Sequence, residues 1–102
     1  MIKQQGDVLF KKISKVKGKK KNGEYVLAVG EATGHSHQVA IEGRKDVEIY
    51  ERDGTLYLRI IGEEATIVHE EHLPLTLTRG DYEVGRVREY NHFAEEAMNV
   101  KD

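Results

Sequence analysis

The sequence predicts an all-β protein, a small single-domain barrel or sandwich of about eight short strands. Three observations carry that expectation. Strand-like apolar runs dominate the chain and are short. Turn residues punctuate them, at Asn22-Gly23, Glu42-Gly43, Asp53-Gly54, Gly62 and Arg79-Gly80-Asp81. Helical spacing of apolar residues occurs only in the last dozen or so positions.

In chain order, the expected strands are 7–13, 24–29, 35–41, 46–51, 55–61, 65–69, 75–78 and 82–89. The 46–51 and 55–61 runs flank Asp53-Gly54, a pair in which both residues tolerate positive φ, and so form a hairpin. Gly62 and Arg79-Gly80-Asp81 read as breaks between successive strands. The 82–89 run changes its alternation across Gly85, which predicts a glycine-associated bulge. The tail, 91–102, reads as a short helix capped by Asn91, with Phe93, Ala97 and Val100 on one side. Alone it would be marginal and would have to dock on the sheet. Neither a repeat nor a linker interrupts the 102 residues, so residues 1–102 are expected to form one domain.

Composition narrows the chemistry. The chain has no cysteine, which excludes disulfides, thiolate zinc sites and cysteine nucleophiles. It has no apolar run of transmembrane length and no signal-peptide pattern, so a soluble cytoplasmic protein with no membrane partner is the expectation. The net charge of −2 conceals an asymmetry: residues 1–23 hold eight lysines and one aspartate, whereas the remainder holds eight Lys/Arg against seventeen Asp/Glu. The basic residues gather in 11–23, expected to be a loop, where Lys17, Lys19, Lys20 and Lys21 form a candidate anion-binding patch. Without arginine or aromatic residues that stretch is poorly suited to reading or stacking on bases, so nucleic acid is a disfavoured partner.

Four of the five histidines fall in two pairs, His35-x-His37 and His69-x-x-His72. In "HSHQVAI" the strand period puts His35 and His37 on the face of Val39 and Ile41, expected to be interior. The same period puts His69 with Ala65 and Ile67. An inward imidazole needs a ligand, a hydrogen-bond partner or water. Two rings projecting from one strand face can share a cation, with His69 and His72 as further ligands. Glu31, upstream of the pair, is a candidate for orienting an imidazole, and Glu70 or Glu71 for acting as a base. The structural alternative is that "HEEH" is an exposed polar turn.

The stretch "GHSHQVAIE" resembles the first metal motif of the cupins, His-x-His followed by Glu. That resemblance implies His35, His37 and Glu42 as metal ligands, joined by His69 or His72, in a cupin-like, jelly-roll-like barrel. Gly43 directly follows Glu42, and the Pro-x-Gly of the second cupin motif has no counterpart, so the likeness is confined to this stretch. The wider pattern "QGDVLF … GEATGHSHQV … HEEHLPLTLTRGDYEVGRVREY" is similar to a group of short bacterial and phage-associated open reading frames with no established activity. The resulting expectation is a small metal-binding protein, holding zinc, iron, nickel or manganese, as a metalloenzyme acting on a small molecule. The alternative is a non-enzymatic binding or assembly module that presents its lysines to an anionic ligand. Exposed edge strands also make a homodimer an expectation.

Overall fold

The computed structural model describes residues 1–29 and 35–87. The expected helix in 91–102 and the candidate Glu31 lie outside the described residues. Among the described residues there are eight strands: β1 (Ile2–Gln5), β2 (Val8–Ile13), β3 (Lys19–Lys21), β4 (Val26–Val29), β5 (Ser36–Val39), β6 (Val47–Arg52), β7 (Thr55–Val68) and β8 (Leu75–Arg86). A six-residue 3-10 turn, Ile41–Asp46, links β5 to β6. All strand pairs are antiparallel, in the order β1-β2-β8-β7-β5-β4, and the sheet curls into a half-barrel. The fold is therefore all-β, as predicted. No helix among the described residues is long and apolar enough to cross a membrane.

The long strand β7 organises the sheet. One edge runs along β8; the other pairs with β6 through Thr55–Ile60 and with β5 at Ile67 and Val68. The β6–β7 hairpin turns at Asp53 (φ 51°) and Gly54 (φ 82°), the two positive values that the Asp-Gly pair anticipates. Phe10, Val39, Leu58, Ile60, Ile67, Leu77 and Tyr82 fill the interior of the curl, each no more than 1% exposed. Burying such side chains contributes roughly 1.5–3 kcal/mol apiece. Tyr82 keeps its hydroxyl satisfied there by donating to Thr78 O at 2.7 Å.

The strand set differs from the sequence expectation in instructive ways. The expected strands 55–61 and 65–69 are joined in one, β7, which ends at Val68; 75–78 and the first part of 82–89 are likewise joined in β8, which ends at Arg86. Gly62 and Arg79-Gly80-Asp81 are not chain reversals. Pairing continues on both sides of them, and the ladder absorbs the irregularity as a register shift between Ile60 and Glu64. Arg79 Nε donates to Gly62 O at 3.2 Å across this point. There the buried positions switch from Leu58 and Ile60 to Ala65 and Ile67, and from Tyr82 to Leu77.

Residues 11–23 are not wholly a loop, because Lys19–Lys21 form β3 against β6. Strand β1 carries no turn-flanked apolar run and was not expected. Ile41, expected in the interior, is 77% exposed, because β5 stops at Val39 and the chain enters the 3-10 turn.

Candidate metal centre

Three segments meet at one end of the sheet. They are the β1–β2 turn with Gln5, Gly6 and Asp7, the entry to β5 with His35 to His37, and the β7–β8 connection, residues 69–74. Alternation along β5 turns His37 inward beside Val39, and His37 is 1% exposed. His35 lies one residue before the strand and is half-buried, as is His69, one residue beyond the end of β7.

The four histidines of the two sequence pairs come together. The ring of His69 lies 4.3 Å from that of His37, 4.6 Å from that of His72 and 5.7 Å from that of His35. His72 stacks near-parallel to His37 at 5.9 Å and is exposed. It packs over Gly6, whose φ is +59°; a Cβ there would sit 2.5 Å from His72 Nε2, so the turn needs glycine for both its backbone and its clearance.

Hydrogen bonds fix the chemical state of these rings. Gln5 is 3% exposed, and its Nε2 donates to both Ile67 O (2.9 Å) and Leu73 O (2.8 Å). Both amide hydrogens are thereby used, so Gln5 Oε1 is the atom facing His37 Nδ1 at 2.9 Å. Nδ1 must carry the proton, which leaves the lone pair on Nε2. Burial, chiefly, lowers the His37 pKa to about 4, with the charge of His69 acting in the same direction and Asp7 opposing it; at neutral pH the ring is uncharged.

His35 Nδ1 faces Glu71 Oε1 at 3.0 Å, and a proton on Nδ1 likewise leaves Nε2 as the donor atom for a ligand. His69 is the reverse case. Its Nδ1 accepts the Glu71 N–H at 3.0 Å, so in the neutral ring the proton sits on Nε2, and Nδ1 can ligate an ion only in exchange for that hydrogen bond. Glu70 Oε1 accepts the Ser36 N–H at 2.9 Å, and that hydrogen bond, with one from Glu70's own N–H, holds its carboxyl below the usual range.

Ligand atoms of His35, His69 and Glu70 all lie within 4.8 Å of one another. Two imidazoles and a carboxylate form a donor set for zinc, iron, nickel or manganese, and three protein ligands leave positions open for water or substrate.

Among the described candidates, Glu42 and the lysines stand apart from this group. Glu42 is exposed in the first turn of the 3-10 segment and is not among the ligand atoms that converge here, although the cupin likeness implies it as a ligand. Its sequence spacing misleads because β5 ends before it. Lys20 pairs with Glu48 at 3.0 Å, and Lys21 with Glu24 at 2.8 Å and Glu51 at 3.1 Å, so acidic neighbours already occupy half of the lysine patch. Lys17 and Lys19 are exposed.

Sequence reasoning missed Gln5, Asp7 and the role of Arg86. Arg86 Nη1 donates to Asp7 Oδ2 at 2.7 Å, beside His37. The available signal was polar residues on both sides of a turn glycine in "QQGD", which is weak without the structure.

No curated protein and no solved structure gives a significant match to the chain. A family model does match, over residues 4–87, which takes in Gln5, Asp7, both histidine pairs and Arg86. The chain therefore belongs to the family described as domain of unknown function DUF8820.

Proposed function

We propose that the protein binds a divalent metal ion at this end of the sheet through His35, His69 and Glu70, and acts through it on a small molecule. The observation that carries the reading is the convergence of those three ligand atoms within 4.8 Å, from segments more than thirty positions apart in the chain. The carboxylate of Glu71 on His35 Nδ1 supports it, since ligating imidazoles are commonly oriented in this way. A metal here would supply Lewis acidity or a bound water of lowered pKa. The likeness to cupins contributes the histidines to this reading but not Glu42.

Metal analysis of protein purified without a histidine tag tests the proposal. At least one equivalent of a divalent ion is expected, and one equivalent is lost in His35→Ala and His69→Ala variants that keep the wild-type circular dichroism. Metal-free wild type whose melting temperature is unmoved by zinc, nickel or iron(II) overturns it.

A further inference from the structure

Asp7 and His37 stand in a relation that the three-residue group leaves unexplained. The nitrogen of His37 that faces Asp7 is Nε2, 3.9 Å from Asp7 Oδ1. Gln5 has placed the ring proton on Nδ1, so both facing atoms are acceptors. At 3.9 Å they make no hydrogen bond with each other. Two acceptors aimed together, one on a side chain only 1% exposed, suit a positively charged occupant between them.

The spacing fits such an occupant. Metal–nitrogen and metal–oxygen bonds of about 2.0–2.2 Å sum to slightly more than this gap; the tetrahedral angle that zinc prefers needs the two atoms roughly 0.5 Å closer, a shift that the half-exposed Asp7 side chain can make. Access is available, because the Asp7 side chain is 44% exposed. Charge permits it as well. Arg86 holds Asp7 through Oδ2 and leaves Oδ1 toward His37, while Glu70 and Glu71 add two further carboxylates to the surrounding loop.

We infer that His37 Nε2 and Asp7 Oδ1 form a second position for a divalent transition-metal ion, beside the one proposed for His35, His69 and Glu70. The two are neighbours, since the rings of His37 and His69 are 4.3 Å apart. The His72 ring stacks on the face of His37, with ring centroids 5.9 Å apart. Gln5 is the positioning residue: it touches no ion but dictates which nitrogen of His37 offers its lone pair. The inference extends the metal-binding reading above, and the following experiment separates the two.

Zinc stoichiometry of the tag-free full chain is measured for wild type, Asp7→Asn and His35→Ala. About two equivalents are expected for wild type, as in two-metal sites, with one lost in Asp7→Asn, whose amide oxygen can still accept from Arg86 and preserve the turn. One equivalent that is abolished by His35→Ala and untouched by Asp7→Asn leaves the first reading standing and overturns this one. One equivalent abolished by both variants also overturns it, because Asp7 would then serve a single centre. No zinc in wild type overturns both readings. An independent check needs no variant: the nitrogen-15 shifts of His37 in the metal-free protein should report the Nδ1–H tautomer. The Nε2–H tautomer would remove the lone pair on which the position depends.

Discussion

The interior of the curl and its histidine end are continuous, with Val39 and Ile67 in one and their near neighbours His37 and His69 in the other, yet different physics holds them. The interior is held by burial, which is roughly additive and tolerant of which apolar residue supplies it. The histidine end is held by hydrogen bonds whose members each depend on the next. Gln5 engages two carbonyls and so can present its oxygen to His37, which in turn presents a lone pair toward Asp7. A well-packed region loses stability in proportion to what is removed; a directed polar chain loses its chemical state at once.

The largest expected effect lies in the interior. Phe10 is fully buried in β2, so Phe10→Ala should cost about 3–5 kcal/mol by deleting a large side chain and leaving a cavity. Chemical denaturation measures this. The comparison predicts that the folded fraction of the variant keeps the His37 tautomer, and a change of tautomer on truncating Phe10 would show that the two regions are not separable.

Next in size is the pH dependence contributed by His37. Its pKa falls from 6.5 in the unfolded chain to about 4 in the fold, mainly through burial. Between those values the unfolded state binds the proton and the native state does not, so stability rises with pH across that window. Above 6.5 this contribution is complete; below about 4 it has been lost. At 1.36 kcal/mol per pH unit the span is about 3 kcal/mol. Denaturation of metal-free protein from pH 4 to 7 should show this slope, and His37→Gln should flatten it. An unchanged slope in the variant would mean that His37 is not buried as a neutral ring.

The two regions also differ in how far the sequence discloses them. Val39, Ile67 and His37 could be placed inside from alternation alone, because period two leaves a strand residue only two faces. The Asp53-Gly54 hairpin was legible because its turn chemistry is local. The joining of 55–61 with 65–69 was not, since only pairing with β8 decides whether Gly62 bends the chain or is carried as a bulge. At the site, both histidine pairs were visible as residue types, but their meeting depends on β5 and β7 being neighbours. Glu42 lies beyond the end of β5, in the 3-10 turn, so strand alternation does not govern where it points. Gln5 lies far beyond local pattern: it acts on Ile67 and Leu73, 62 and 68 positions away.

That distance makes Gln5 the sharpest probe of the comparison, although its expected effect is the smallest. Gln5→Met keeps a similar volume and removes both donors and the acceptor. Ile67 O, Leu73 O and His37 Nδ1 lose their partner, and leaving buried polar groups unsatisfied costs about 1–3 kcal/mol each where water cannot reach them. Residues 69–74 lie at the surface, so water can take over part of the role and the total should stay near the low end, about 2 kcal/mol. The signature is local. Amide exchange should quicken in residues 69–74 and around His37, while the interior amides of β2 and β8 slow or quicken only with global stability. The His37 tautomer should also cease to be fixed, which nitrogen-15 shifts would register as averaging between Nδ1–H and Nε2–H. If exchange instead accelerated uniformly and the tautomer held, Gln5 would be acting as one more packed residue, and the histidine end would obey the same additive rule as the interior.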